Sequence, residues 1–280
     1  MKVSIVTINY NNVEGLKKTL SSVFEQSYRD IEHIIIDGGS TDGSVDAIKE
    51  YVAANPSNDP FFKHTINWVS EKDSGIYNAM NKGIRKANGA YVQILNSGDI
   101  FANLDVVERI VAEIEKVEYP ELFYGNMIKK DYATGKILGK SKEVEYSLRQ
   151  YYTSTMNHDC CYIRRDVYDK YGLYDESLKI VSDWKWFLQA IGLGKVKPVY
   201  VDIDVTIFDA SGISETNLEL RNKERRQVLE DVLPPAMLAD YAKYTFPMEE
   251  YNRLKKYHLW GLAWFVERVF FKLEKWHILR

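Results

Sequence analysis

Apolar and polar positions alternate between two rhythms along the first hundred residues. Val3-Ser4-Ile5-Val6-Thr7-Ile8 is a short, mostly apolar run and predicts a strand. Val13, Leu16, Leu20, Val23 and Phe24 then recur at helical spacing. Ile34-Ile35-Ile36 predicts a second strand, apolar on both faces and therefore covered on both. The turn Gly38-Gly39-Ser40-Thr41-Asp42-Gly43 leads to a helix carrying Val45, Ile48 and Val52, and a loop runs over residues 55–59. Ile66 to Val69 predicts a third strand. Ser74 is placed to cap a helix carrying Ile76, Met80, Ile84 and Ala87, and Tyr91 to Leu95 predicts a fourth strand. Repeated strand–helix alternation of this kind implies an α/β fold, a mostly parallel sheet flanked by helices.

After Asp99 the rhythm changes. Val106, Val107, Ile110, Val111 and Ile114 predict a helix, Leu122 to Lys129 and Asp159 to Arg164 predict strands, and Ser182 to Leu193 predicts a helix. Val199, Val201, Ile203, Val205 and Ile207 alternate with polar residues, as in a half-exposed strand. From Thr216 onward the chain reads as almost wholly helical, with no internal repeat and no low-complexity segment.

Composition narrows the class. The 280 residues suffice for one large domain or two fused halves. A net charge of −3 gives no electrostatic footprint for nucleic acid. The five His are scattered, without zinc-motif spacing. Cys160 and Cys161 are adjacent and cannot staple distant segments, which fits a reducing, cytoplasmic setting. The N-terminal run lacks the plan of a signal peptide, and no apolar run reaches the roughly 18 residues of a spanning helix.

Ligands of open parallel sheets bind beyond the carboxyl ends of the strands. Polar residues stand there each time: Asn9-Tyr10-Asn11-Asn12 after the first strand, Asp37 after the second, Glu71-Lys72-Asp73 after the third, and Asn96-Ser97-Gly98-Asp99 after the fourth. Such a series suits a crevice that holds a cation or a hydroxyl-rich ligand.

These residues resemble a known family. Val3 to Asn11 is similar to the opening strand of family 2 glycosyltransferases of the GT-A fold, and Ile36-Asp37-Gly38-Gly39-Ser40-Thr41-Asp42-Gly43-Ser44 to their second signature. Residues 70–83, Ser-Glu-Lys-Asp-Ser-Gly-Ile-Tyr-Asn-Ala-Met-Asn-Lys-Gly, resemble a segment of members that build exopolysaccharides. The ordered match runs from residue 3 to about residue 214. It implies a Rossmann-like nucleotide-binding mixed sheet flanked by helices over 1–215, with a nucleotide-sugar half (1–100) and an acceptor half (101–215). A helical extension would occupy 216–280.

The resemblance also implies roles. Asp37 would accept a hydrogen bond from the uracil of a UDP-sugar, with backbone near Thr7 and Tyr10 completing the base pocket and Asn9 also binding the donor; alternatively Asp37 only forms the turn before Gly38. Asn96-Ser97-Gly98-Asp99 stands where the family places Asp-x-Asp, and only the last acid is kept. Asp99 would ligate Mg2+ or Mn2+ bridging the diphosphate, or else belongs to a turn ahead of the helix at Asp105. Glu71 and Asp73 would bind donor-sugar hydroxyls or favour the following helix N-terminus by their charge. Arg85, beside Lys82 and Lys86, reads as part of a solvated basic face. Val181-Ser182-Asp183-Trp184 matches the segment that ends in the catalytic base, with Ser182 where an acid is usual. Asp183 would take the acceptor hydroxyl's proton in an inverting transfer, or merely cap a helix. His158 and Trp184 would line the acceptor site, with a structural role as the alternative; Trp186 has the same two readings. Residues 208–214 resemble a loop that closes over the donor. The Gln-x-x-Arg-Trp motif of processive synthases is absent, so one sugar per encounter is expected.

The implied activity is metal-dependent transfer from a nucleotide-sugar donor to a glycan or lipid-linked acceptor in cell-envelope polysaccharide synthesis. Two readings compete. A nucleotidylyltransferase would want a Gly-rich, basic phosphate loop where Asn11-Asn12-Val13-Glu14 stands, and a non-catalytic relative would bind nucleotide without turnover. A dinucleotide oxidoreductase lacks its Gly-x-Gly-x-x-Gly fingerprint here. Residues 253–280 carry seven Lys/Arg against two Glu, among Trp260, Trp264, Phe265, Phe270, Phe271 and Trp276. They read as a basic amphipathic helix on the inner face of the plasma membrane, or as one packed on the core or on a second subunit of a homodimer.

Overall fold

The structure, a computed structural model, describes residues 1–55, 64–132, 134–209, 217–243 and 268–269. The expected loop over 55–59 (beyond Asn55), the closing loop over 210–214 and the basic segment 253–280 (save 268–269) therefore lie outside the described residues.

Four strands, β1 (Val3–Asn9), β2 (Ile31–Asp37), β3 (Thr65–Ser70) and β4 (Tyr91–Ile94), pair in parallel in the order β3-β2-β1-β4. Beyond β4 the sheet becomes mixed. β5 (Ile100–Phe101), β6 (Leu122–Lys130), β7 (Ile137–Lys140), β8 (Cys161–Arg164) and β9 (Pro198–Asp209) extend it in the path β4-β8-β6-β9-β5, with β7 beside β6. β8 runs antiparallel to both β4 and β6, whereas β6 and β9 are parallel. β1 and β2 are buried along their whole length, as continuous apolar runs require when both faces are covered.

Helices α1 (Val13–Phe24), α2 (Ser44–Ala54), α3 (Ile76–Lys86) and α4 (Val106–Lys116) supply that cover. Leu16, Leu20 and Ile48 pack on Ile35, while Val107, Ile110 and Ile114 of α4 join Val3, Ile5, Phe123 and Val205 in the main core. α3 lies so close to β1 that a Cβ on Gly83 would stand 2.2 Å from Val6 Cγ1, so only glycine fits there. Three expectations need correction. Ser74 does not cap α3: the helix begins after Gly75, whose φ of 142° suits a residue without a side chain. The strand expected from Asp159 starts at Cys161, because His158–Cys160 coil into a 3-10 turn. The helix expected through Leu193 is α-helical only as α7 (Ser182–Phe187), and continues as a π turn over Leu188–Gly192.

Short helices α5 (Leu148–Thr153) and α6 (Arg165–Tyr171) flank β8 in sequence, and α8 (Leu218–Val232) follows β9. The chain divides into two compact units, Met1–Arg225 and Arg226–Arg280. In the second, Val228 and Leu233 are buried. Among the described residues no helix is long and apolar enough to cross a membrane.

Candidate active site

A cavity of about 700 Å³ opens at the carboxyl ends of β1 and β4. Of the expected site residues it gathers Asn9, Tyr10, Asp73, Asn96, Ser97, Asp99, His158, Asp183 and Trp184. Hydrogen bonds hold the strand ends together. Asn9 donates to Asp37 Oδ1 at 2.8 Å and accepts from Ser97 Oγ at 2.7 Å, so β1, β2 and β4 end on one clamp. Asn12 caps α1 by accepting from Gly15 N–H and donates to the Ser97 carbonyl at 3.1 Å. Tyr10 stands at the rim, 66% exposed, with its ring available to a ligand.

Other expected residues face elsewhere. The Thr7 hydroxyl lies 3.0 Å from His33 Nε2, and His33 in turn meets Tyr51 of α2, on the helix-covered side of the sheet. The buried Asp37 carboxylate accepts from Asn9, Ser40 and Ser70 side chains and from Gly39 and Ser40 N–H groups. Burial pushes its pKa up, but those donors outweigh burial and hold it below the usual range. Glu71 pairs with Lys82 at 2.8 Å near the surface. Gly98 takes a φ of 110° and turns the chain so that Asp99 points inward. Trp186 belongs to an aromatic cluster with Tyr168, Tyr174 and Phe187 rather than to the cavity wall.

Asp99 is 4% exposed. Its Oδ1 accepts from Asp209 N–H at 3.1 Å. Burial, then the charge of Asp159 and to a lesser degree that of Asp209, push its pKa well above the usual range. Among the described residues no three His, Cys, Asp or Glu side chains form a ready-made metal cage. A crowd of hard carboxyl oxygens facing an open cavity nonetheless fits a cation such as Mg2+, which takes one or two carboxylates and draws its other ligands from phosphate and water.

Asp183 sits on the first turn of α7. Its position is fixed by contacts that tie the segment before α7 to α3 and α8. Buried Asn81 of α3 exchanges hydrogen bonds with the Tyr174 backbone, and Asn78 and Asn81 both donate to Glu176. Glu224 of α8 accepts from the N–H groups of Lys179 and Ile180. Thus anchored, Asp183 accepts from the Tyr77 hydroxyl at 2.9 Å and from His158 Nδ1 at 3.2 Å. Burial favours the neutral acid, but the His158 hydrogen bond and charge, then Tyr77, overcome it and lower its pKa. Burial likewise opposes charge on His158, yet Asp183, with Asp159 and Asp99 behind it, raises its pKa to about 9. His158 Nε2 lies 3.1 Å from the Asn96 amide, whose buried oxygen has no other donor. With that oxygen turned to the ring, both imidazolium N–H groups are satisfied.

This pair has a pH signature. The folded pKa of His158 exceeds the roughly 6.5 of an unfolded histidine. Its contribution to stability is therefore complete below about pH 6.5 and is lost as pH climbs through about 9. The gap in melting temperature between the protein and His158→Gln should narrow over that window. A gap that stays constant with pH would mean that the imidazole is neutral in the fold.

Tyr77, Asp159, Asp209, Arg221 and Arg225 were not singled out from the sequence. Tyr77 carried a signal of sorts, since it shares the buried side of α3 with Met80 and Ile84 while bearing a hydroxyl that needs a partner. The two arginines follow the segment that resembles the family, and nothing in their spacing marks them.

The family model described as Glycosyl transferase family 2 matches residues 4–172. An uncharacterized glycosyltransferase of Mycobacterium tuberculosis is 31% identical over 214 residues, covering 75% of this chain and 76% of that one. A PGL/p-HBAD biosynthesis glycosyltransferase of Mycobacterium bovis is 24% identical over 214 residues, covering 76% and 79%. Among solved structures, S. aureus TarS 1-349 in complex with UDP matches with a TM-score of 0.60 at 19% identity, over 75% of this chain and 60% of that one. The mannosyltransferase PcManGT from Pyrobaculum calidifontis, in complex with GDP-Man and Mn2+, matches at 0.61 and 16% identity, over 84% and 66%. This chain thus spans 60% of the TarS chain. The likeness to the two structures shows a shared GT-A fold.

Proposed function

The chain belongs to glycosyl transferase family 2, and from that premise we propose an inverting, metal-dependent transfer from a UDP-sugar to a glycan or lipid-linked acceptor of the cell envelope. One observation carries this reading: a single cavity holds two carboxyl groups in opposite electrostatic settings. Asp99 is pushed toward the neutral acid by burial and neighbouring carboxylates, whereas Asp183 is held ionised by His158 and Tyr77. Pairs whose environments drive their pKa values apart divide the work of a reaction between them.

Asp183 is the general base. Each of its oxygens already accepts one hydrogen bond, which leaves room for an acceptor hydroxyl. It takes that proton as the hydroxyl oxygen attacks the anomeric carbon and the bond to the diphosphate breaks on the opposite side. His158 and Tyr77 fix the carboxylate's orientation. Asp99, with Asp209 beside it, is the place for Mg2+ or Mn2+. Bound there, the cation would neutralise charge on the departing diphosphate as a Lewis acid. Asn9, Asn96 and Ser97 line the donor side, and the Tyr10 ring offers a stacking surface for the base.

Base recognition falls to Asp73 rather than to Asp37, whose two oxygens already have five donors. Gly38 has no side chain, and a Cβ there would lie 2.5 Å from Asp73 Oδ2 and 3.2 Å from Tyr10 Cδ2. Asp73 therefore enters the cavity beside the Tyr10 ring. A carboxylate there accepts from the imide N–H of uracil and repels the ring nitrogen acceptor of cytosine. The test is a panel of UDP-, CDP- and GDP-sugars with Mn2+, read by binding calorimetry and by release of nucleoside diphosphate. UDP-sugars should bind and be slowly hydrolysed. Asp73→Asn should cut the UDP-over-CDP preference about ten-fold, the worth of one charge-assisted hydrogen bond. Pyrophosphate exchange with a sugar phosphate would indicate a nucleotidylyltransferase instead, and tight UDP binding without turnover a non-catalytic relative.

A further inference from the structure

We propose that the acceptor end of this cavity, walled by Arg221, Arg225 and Lys179, binds a phosphate group carried by the acceptor. The inference rests on Asp183 as the residue that faces the acceptor hydroxyl. It adds the chemical class of what brings that hydroxyl.

The cavity brings both signs of charge together. Its lining includes the carboxyl groups of Asp73, Asp99, Asp159 and Asp209 with Lys129, and the cations Lys179, Arg221 and Arg225, of which Arg225 stands by Trp184 and Asp183. Arg225 is held in place rather than left to solvent. Its guanidinium lies over the Trp184 ring, 4.4 Å from the centroid, and donates to the Ser154 carbonyl at 3.0 Å. Trp184 is itself fixed by donating to the Tyr151 carbonyl at 2.6 Å. Among the described residues Arg225 forms no ion pair; it meets a neutral ring and a neutral carbonyl, and stacking on a ring leaves the guanidinium edge free to donate.

Keeping such a cation half-buried is unfavourable. Burial and the charge of Arg221 both lower the Arg225 pKa, and Asp183 offsets them in part. Asp183 is already matched by His158 at 3.2 Å, so its charge is shared. Two guanidinium groups one helical turn apart on α8, turned toward the same cavity, gain most from an anion with several acceptor oxygens. Lys179, whose backbone N–H is held by Glu224 of α8 and whose Nζ donates to the Ser74 carbonyl at 3.3 Å, adds a third cation to the cavity lining. A phosphate suits this set better than a lone carboxylate, because it offers more oxygens and up to two charges. The donor's diphosphate belongs at the other end, by Asp99. The phosphate seated here would therefore come with the acceptor and hold its hydroxyl at Asp183.

The test uses the full chain saturated with UDP and Mn2+, so that the donor's own phosphate position is filled. Glucose 1-phosphate and decyl phosphate are titrated against their neutral counterparts, glucose and decyl glucoside. At least one phosphorylated probe should bind ten-fold or more tightly than its neutral partner. Arg221→Gln combined with Arg225→Gln should erase that preference, Arg225→Lys alone should keep most of it, and the Kd for UDP should stay within about two-fold in every variant. Absence of any preference in the unaltered protein would overturn the inference. So would a fall in UDP affinity in the double variant, which would assign the arginines to the donor's diphosphate. Failure of the unaltered protein to bind UDP at all is a separate result, which would instead sink the functional reading beneath it.

Discussion

Asp183→Asn should lower sugar transfer by about 10²–10⁴-fold, the usual worth of a positioned general base, with the Kd for UDP almost unchanged. The substitution is nearly isosteric. An amide oxygen at this position can still accept from Tyr77 or His158, so the fold around α7 should survive. What disappears is the charge. His158 would then be a half-buried imidazole without its main counter-ion, and its pKa should drop from about 9 toward neutrality or below. The histidine ring signals, followed by NMR across pH, check that the charge pair existed and that the substitution broke it, while turnover decides the catalytic role. Normal turnover, with or without the histidine shift, would remove Asp183 from the reaction. A low carboxylate pKa does not disqualify it as the base. The attacking hydroxyl becomes acidic only as its oxygen bonds to carbon, so a weak base held in place accepts the proton late and loses it readily to solvent.

How much of this was legible beforehand depends on the range of the interactions involved. β1, β2, β3 and β4 and the helices between them were readable because each carries its own apolar signal, a continuous run or a stripe such as Val107, Ile110 and Ile114. β5 has only Ile100 and Phe101, and β7 exposes Ile137 and Leu138, so neither has a pattern to read. The change of α7 into a π turn is equally hard to see, since Leu188, Ala190 and Ile191 are buried in either helical form and leave no distinct periodicity. The residues placed on the cavity divide in the same way. Asp99 and Asp183 stood out as acids at a strand end and in a motif-like segment. The pairing of Asp183 with His158 and Tyr77, which joins residues 106 and 25 positions apart in sequence, exists only in the fold. Asp37 shows the converse. Its place at a strand end was plain, but the ring of donors from Asn9, Ser40 and Ser70 that occupies it was not. Nothing short of three dimensions puts Asp73 into the space left by Gly38, or Arg225 over Trp184.

The second large effect concerns Asp99. Asp99→Asn should reduce transfer by roughly 10³-fold or more, since Lewis-acid stabilisation of a leaving diphosphate is worth several kcal/mol. It should also abolish UDP-dependent binding of Mn2+ measured by calorimetry or by the ion's paramagnetic signal. The physical reason lies in the electrostatics of the fourth strand's end. Burial and the nearby charges of Asp159 and Asp209 already drive Asp99 toward its neutral form. An asparagine there closely resembles the protonated acid, and its oxygen can still accept from Asp209 N–H. The variant should therefore fold with a melting temperature close to that of the parent protein, because the buried group stays neutral and the Asp209 N–H keeps its acceptor. Loss of metal capture with stability intact is the combination that separates a ligand from a structural acid. If Asp99→Asn instead unfolds the protein while the surviving fraction binds Mn2+ and UDP normally, the carboxyl group serves the fold. The cation must then be held elsewhere in the cavity.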